Sequence, residues 1–176
     1  MIQYRNLNPD ELCPDLFKHF HRHQVVTKCW RKENEKWVFK DAPFVVYWKE
    51  TDYQILVSCL KNTLASGGFV HAAFNNQMLK GFVSVESALF GGEQKYLDLT
   101  SIHISEDMRG LGIGKELFLS AKKWAKEQGA AKLYISAHSS VESQAFYRKM
   151  GCVEAMVYNR QHVEAEPYDC QLECVL

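Results

Sequence analysis

The stretch Ile104-Ser-Glu-Asp-Met-Arg-Gly-Leu-Gly-Ile-Gly-Lys-Glu-Leu-Phe118 limits this chain more than any other. A strand-like run, Lys95-Tyr-Leu-Asp-Leu-Thr-Ser-Ile-His-Ile-Ser105, leads into it. Glycines then stand at 110, 112 and 114. A helical stripe of Ile113, Leu117, Phe118, Ala121, Trp124 and Ala125 follows, closed by Gly129. A second strand, Lys132-Leu-Tyr-Ile-Ser-Ala-His138, comes next. Strand, helix and strand in that order predict a parallel pair with a right-handed crossover over 96–137.

Glycine lets the backbone approach a ligand and take φ > 0. The first amides of a helix have no partner within it, and with the helix dipole they favour an anion. Lys115 in the first turn opposes that dipole unless a polyanion lies nearby. Two nucleotide loops fail on spacing. A G-x-G-x-x-G fingerprint from Gly110 requires glycine where Lys115 stands, and a G-x-x-x-x-G-K-[ST] loop meets Arg109 and Glu116 at its ends.

The remaining segments fill out an α/β (α+β) fold with a mixed, mostly antiparallel sheet. "IQYRNLN" reads as a strand, and Leu12, Leu16, Phe17 and Phe20 repeat at helical spacing. Residues 24–50 read as irregular and rich in aromatics. Thr51 or Asp52 caps a helix carrying Tyr53, Leu56, Val57, Leu60 and Leu64. Short turns join "FVHAAF", "LKGFVSVESALF" and "KYLDLTSIHIS" as an antiparallel meander. "SSVESQAFYRKMG" is a helix with Ser139 and Glu142 at capping-box spacing. "EAMVYNR" and "YDCQLECVL" close the chain as a strand pair. No repeat or linker divides the 176 residues, so one domain over 1–176 is expected.

Charge and composition exclude some functions. Lys+Arg and Asp+Glu each total 21, and no basic run exceeds two residues, which argues against nucleic-acid binding. No apolar run spans a membrane and no secretory leader is visible, so a cytoplasmic protein is expected. The six cysteines are scattered without metal-ligand or disulfide spacing. His19, His21 and His23 form H-x-H-x-H, which reads as a solvated helix face rather than a metal site.

The loop Arg109-Gly110-Leu111-Gly112-Ile113-Gly114 resembles the R/Q-x-x-G-x-G/A motif of the GNAT superfamily of acetyl-CoA-dependent N-acetyltransferases. "AFYRKMGC" over 145–152 resembles that family's later aromatic-Tyr motif. The resemblance is specific from about Tyr96 to Cys152 and agrees in element order from about Phe69. It implies a twisted sheet of about six to seven strands with helices on both faces. The cofactor core then spans about 69–152, with acceptor elements at 24–66 and 153–176.

It further implies acetyl-CoA as co-substrate and no metal. The pyrophosphate lies on Arg109, Gly110, Leu111, Gly112, Ile113, Gly114 and Lys115. The pantetheine arm runs along the main chain of Ile102, His103 and Ile104, like an added strand. Ser140 stands where many members carry an asparagine that meets this arm, and Ser143 joins it. Tyr147 matches the family's general acid, and a phenol of pKa about 10 holds its proton at neutral pH. Asp98, Glu86 and His103 are candidate bases. Strand alternation puts Asp98, Thr100 and Ile102 on one face and Leu97, Leu99, Ser101 and His103 on the other. A proton lost to water, with no dedicated base, is the further alternative.

The expected reaction is attack of a primary amine, on a small molecule or peptide, upon the thioester in a ternary complex. The aromatics of 30–48 and the carboxylates Glu33, Glu35, Glu50 and Asp52 fall in the acceptor region. A non-catalytic acyl-CoA sensor and a transferase of longer acyl groups are the alternatives, and the late strands offer a surface for a homodimer.

Overall fold

Apolar alternation in the meander and apolar stripes on two long helices together give a helix–sheet–helix sandwich. The computed structural model describes residues 1–176. Its main sheet has seven strands in the order β1-β4-β5-β6-β7-β9-β8. These are β1 (Ile2–Asn6), β4 (Phe69–Asn75), β5 (Met78–Val85), β6 (Tyr96–Ile104), β7 (Lys132–Ala137), β8 (Val153–Glu154) and β9 (Cys170–Val175). All neighbours are antiparallel except β6 and β7. The connection from β6 to β7 is α2 (Ile113–Glu127), the crossover expected from the sequence. A separate two-stranded sheet pairs β2 (His23–Glu33) with β3 (Lys36–Tyr47). The other helices are α1 (Glu50–Ala65), α3 (Val141–Lys149) and α4 (Arg160–Ala165).

Each face of the sheet has its own core. On one face Ile113, Leu117, Phe118, Ala121 and Ala125 of α2 pack on Leu97, Leu99, Leu133 and Ile135, joined by Tyr147 of α3. Burying each of the larger side chains contributes about 1.5–3 kcal/mol. On the other face Leu56, Val57 and Leu60 of α1 meet Val70, Phe74, Leu79 and Phe82, and Leu12, Phe17 and Phe20 complete the layer.

Four local readings are corrected. Residues 12–20 form no α-helix; two 3-10 turns, Pro9–Glu11 and Pro14–Phe17, carry the apolar residues inward. Pro14 has no N–H to continue a helix through that point. Residues 24–50 are not irregular but the long β2–β3 hairpin. Its turn uses Asn34 and Glu35, both left-handed at φ 49° and 62°, without the glycine that marks such turns. The cap of α3 is Ser140, whose hydroxyl accepts from the Ser143 N–H at 3.3 Å, not Ser139. The last pair is short, because "EAMVYNR" contributes only Glu154 to β8 and then turns into α4.

Candidate active site

The glycine loop is built by strain placed only where glycine stands. Gly110 and Gly112 sit at φ 79° and 82°. Gly114 serves closeness instead: a Cβ there would stand 3.2 Å from the Phe146 ring. The first helical bond back to the loop is Glu116 N–H to Gly112 O at 3.2 Å. The amides of Ile113, Gly114 and Lys115 therefore have no partner within α2.

The segment before β2 pins this loop. Ser105 is fully buried; its hydroxyl accepts from the His21 N–H at 2.9 Å and donates to Asp107 at 2.5 Å. Lys80 donates to Asp107 at 2.7 Å and to the His19 carbonyl at 2.8 Å. Burial disfavours the Asp107 charge, but the Lys80 and Ser105 bonds hold its carboxyl below the usual range. His23 pairs with Glu106 at 2.9 Å, and Arg109 donates to the His23 carbonyl at 2.6 Å. The H-x-H-x-H stretch is thus a strap on the loop, running from the turn at His19 into β2 at His23, not a helix face.

A groove of about 670 Å³ runs from the loop along β6 to α3. Ile102, His103, Ile104, Arg109, Gly110, Gly112, Ile113, Gly114, Lys115, Ser143 and Tyr147 line it. Leu111 does not; its side chain is 65% exposed. Ser140 does not either, since it is fully buried and its hydroxyl is taken by Ser143 and Gln24. The groove adds Arg22 and Lys149 to Arg109 and Lys115, against the single carboxylate of Glu142. Such a surface suits an anionic ligand.

Pairing between β6 and β7 covers only Tyr96–Asp98 with Lys132–Tyr134, and the strands then part. Ser105 N–H donates to Lys80 O on β5. By alternation the main-chain groups of Ile102 and Ile104 turn to the open side. A β-bulge at Thr100 sets the faces of this stretch, because Val85 pairs with Leu99 and Ser84 with Ser101. Strict alternation from Asp98 therefore fails. Leu97, Leu99, Ile102 and Ile104 face the α2 core, whereas Thr100, Ser101 and His103 face α1.

The candidate bases are held apart. Asp98 sits where β6 and β7 part and binds His162 Nε2 of α4 at 2.5 Å. It lines neither the groove nor the neighbouring cavity. Glu86 receives a backbone link from Asp98 (Glu86 N–H to Asp98 O, 2.8 Å), but its carboxylate turns to Thr63 at 2.6 Å. His103 packs against Trp48 at 4.8 Å between ring centroids and against Phe82 at 5.5 Å. Burial, with Arg22 and Arg109 nearby, pushes its imidazole down to about 3, so it stays neutral and is a poor proton acceptor.

Tyr147 is 8% exposed, and burial, with Cys152 beside it, raises its phenol well above the ordinary range. It enters the groove fully protonated. Arg22 is the lining residue that sequence reasoning missed. Its Nη1 donates to Gln24 at 3.0 Å, its guanidinium lies 5.8 Å from the Trp48 ring, and its buried Nε has no partner. Burial and the like charge of Arg109 lower it to about 10, so it remains a cation. One arginine among histidines carries no signal in sequence; its place depends on how β2 enters the hairpin.

Residues 30–152 match the family model described as "Acetyltransferase (GNAT) family". No curated protein sequence matches. Among solved structures, a nourseothricin acetyltransferase is 17% identical with a TM-score of 0.65, over 98% of this chain and 95% of that one. A protein from Bacillus anthracis described as a streptothricin acetyltransferase, in complex with acetyl coenzyme A, is 17% identical with a TM-score of 0.69, over 98% and 96%. The PaiA N-acetyltransferase of Thermoplasma acidophilum, in complex with coenzyme A, is 15% identical with a TM-score of 0.62, over 100% and 99%. At these identities the likenesses speak for the fold. No helix is long and apolar enough to cross a membrane.

Proposed function

The chain belongs to the GNAT acetyltransferase family, and from that premise we propose that it moves an acetyl group from acetyl-CoA to a primary amine by direct attack in a ternary complex. One observation carries this reading: a single groove joins the free amides of α2, the open edge of β6 and the buried phenol of Tyr147. The acetyl-CoA and coenzyme A complexes of the solved structures support the ligand.

In this reading the pyrophosphate meets the amides of Gly112–Lys115, with Arg109 and Lys115 balancing its charge. The pantetheine arm bonds the main chain of Ile102 and Ile104 and passes Ser143. The amine nitrogen attacks the thioester carbonyl carbon. A main-chain N–H of β6 meets the developing oxyanion. The carbon–sulfur bond then breaks, the leaving thiolate takes the Tyr147 proton, and solvent restores that proton to the phenolate. The amine's own proton goes to water, because Asp98 is engaged by His162 and His103 is too weakly basic. Arg22 faces the reacting end and orients the thioester.

Calorimetry with acetyl-CoA tests the first half, and an absence of binding would sink it. The second half is read by release of free thiol with a panel of amines. With water as proton acceptor, log kcat/KM rises with pH until the amine reaches its own pKa, about 10.4 for a lysine-like amine. A plateau starting near pH 7 would instead require a protein base.

A further inference from the structure

A second cavity, of about 440 Å³, lies on the α1 face of the sheet and shares His103 with the groove. Its wall is α1 from Asp52 to Thr63. Eleven rises of about 1.5 Å between these residues make it a trench roughly 16 Å long. The near end holds Trp48, Asp52 and His103, whose ring packs on Trp48. The far end holds Glu86, and the hydroxyls of Thr63 and Thr100 are its only side-chain partners, at 2.6 and 3.5 Å. No cationic side chain of this protein neutralises that carboxylate. Between the ends, Ile55, Leu56, Cys59 and Leu60 present an apolar wall opposite hydroxyls of the sheet.

We propose that the acceptor is an elongated diamine, lying in this trench with its remote ammonium on Glu86 and its reacting nitrogen at the His103 end. The assignment rests on the transferase reading above and names its substrate class. The trench sorts molecules by charge and shape. Two cations joined by a methylene spacer match carboxylates at both ends and an apolar middle. An amino acid would bring its own carboxylate against Glu86 or Asp52. The reacting end meets Trp48, an aromatic lining residue that tolerates the neutral amine. His103, held neutral, neither repels the amine nor takes its proton.

The test uses straight-chain α,ω-diamines against monoamines of equal length, bound to the protein with and without saturating CoA. Diamines that span the trench bind about tenfold or more tightly than their monoamines, and Glu86→Gln abolishes that difference. Cys59 supplies an independent readout, since it is exposed on the trench wall, whereas Cys13 is exposed elsewhere. Diamine slows alkylation of Cys59 and leaves Cys13 unchanged. Equal binding of both amine classes, or a diamine preference that survives Glu86→Gln, overturns the proposal. Failure of acetyl-CoA to bind would count against the transferase reading. Absence of a diamine preference in the wild-type protein, with acetyl-CoA binding intact, counts against this assignment alone.

Discussion

At the residue scale, Tyr147 shows how a fold can keep a phenol protonated by burial. Burial between α2 and α3 keeps the phenol neutral beyond its ordinary range. Its hydroxyl remains at the groove surface, where a leaving thiolate would need a proton. Tyr147→Phe keeps the ring packing on Phe118 and removes only that proton. We expect kcat to fall about 100-fold, with acetyl-CoA affinity by calorimetry unchanged. An unaltered kcat from pH 6 to 9 would remove the acid role. The glycines were legible in sequence because each answers a backbone or packing demand that few residues meet, whereas Tyr147 was singled out by the resemblance of its motif to the family's. Gly112 needs a left-handed φ, and Gly114 needs room beside Phe146. Arg22 was not legible, because Gln24 of the hairpin and Trp48 just beyond it, which hold it, lie in the 24–50 segment that the sequence alone presents as irregular.

At the element scale, that hairpin was hidden by exposure on both faces. Val25, Phe39, Val45 and Tyr47 are all more than half exposed, so apolar positions do not track one buried side. Its β-branched and aromatic content was the available sign. The bulge at Thr100 was hidden for a different reason: one extra residue shifts every later side chain to the other face, and no local residue type announces it. The crossover helix was read correctly, because its buried stripe follows the helical period from Ile113 to Ala125. α4 was missed as a six-residue helix without an apolar stripe. It is fastened by His162, which bonds Asp98 and stacks on Tyr134. The Asp98 bond raises the His162 pKa despite burial, with Asp169 adding attraction; Arg160 and Glu164 pair with each other on the same helix. A raised folded pKa stabilises the protein fully below the unfolded value, about 6.5, and the gain is lost as pH rises through the folded value. His162→Gln should therefore lower Tm most near pH 6, with the gap to wild type narrowing towards pH 9. A gap independent of pH would mean that the contact is packing alone.

At the scale of the whole molecule, the sheet is two blocks joined by a short seam. β1, β4, β5 and β6 form one antiparallel block, and β7, β9 and β8 form the other. The parallel ladder from Tyr96 to Asp98 connects them. Beside that seam, Glu173 accepts from Tyr96 and pairs with Lys132 at 2.7 Å, with both charged side chains largely buried. Beyond Asp98 each strand keeps only its outer neighbour, so the inner edges face one another across the opening. A ligand bonded to Ile102 and Ile104 would complete the edge of β6, which makes binding visible in two ways. If acetyl-CoA binds only the folded chain, a concentration 100 times Kd adds about 2.7 kcal/mol. For a chain of this length that corresponds to a rise in Tm of roughly 5–10 °C. The same ligand should slow hydrogen exchange at the Ile102 and Ile104 amides beyond what global stabilisation supplies. Amides within the β4–β5 ladder should slow only by the global amount. A rise in Tm without local protection at β6 would place the ligand on the α2 loop alone, and the strand-like path of the pantetheine arm would then be wrong.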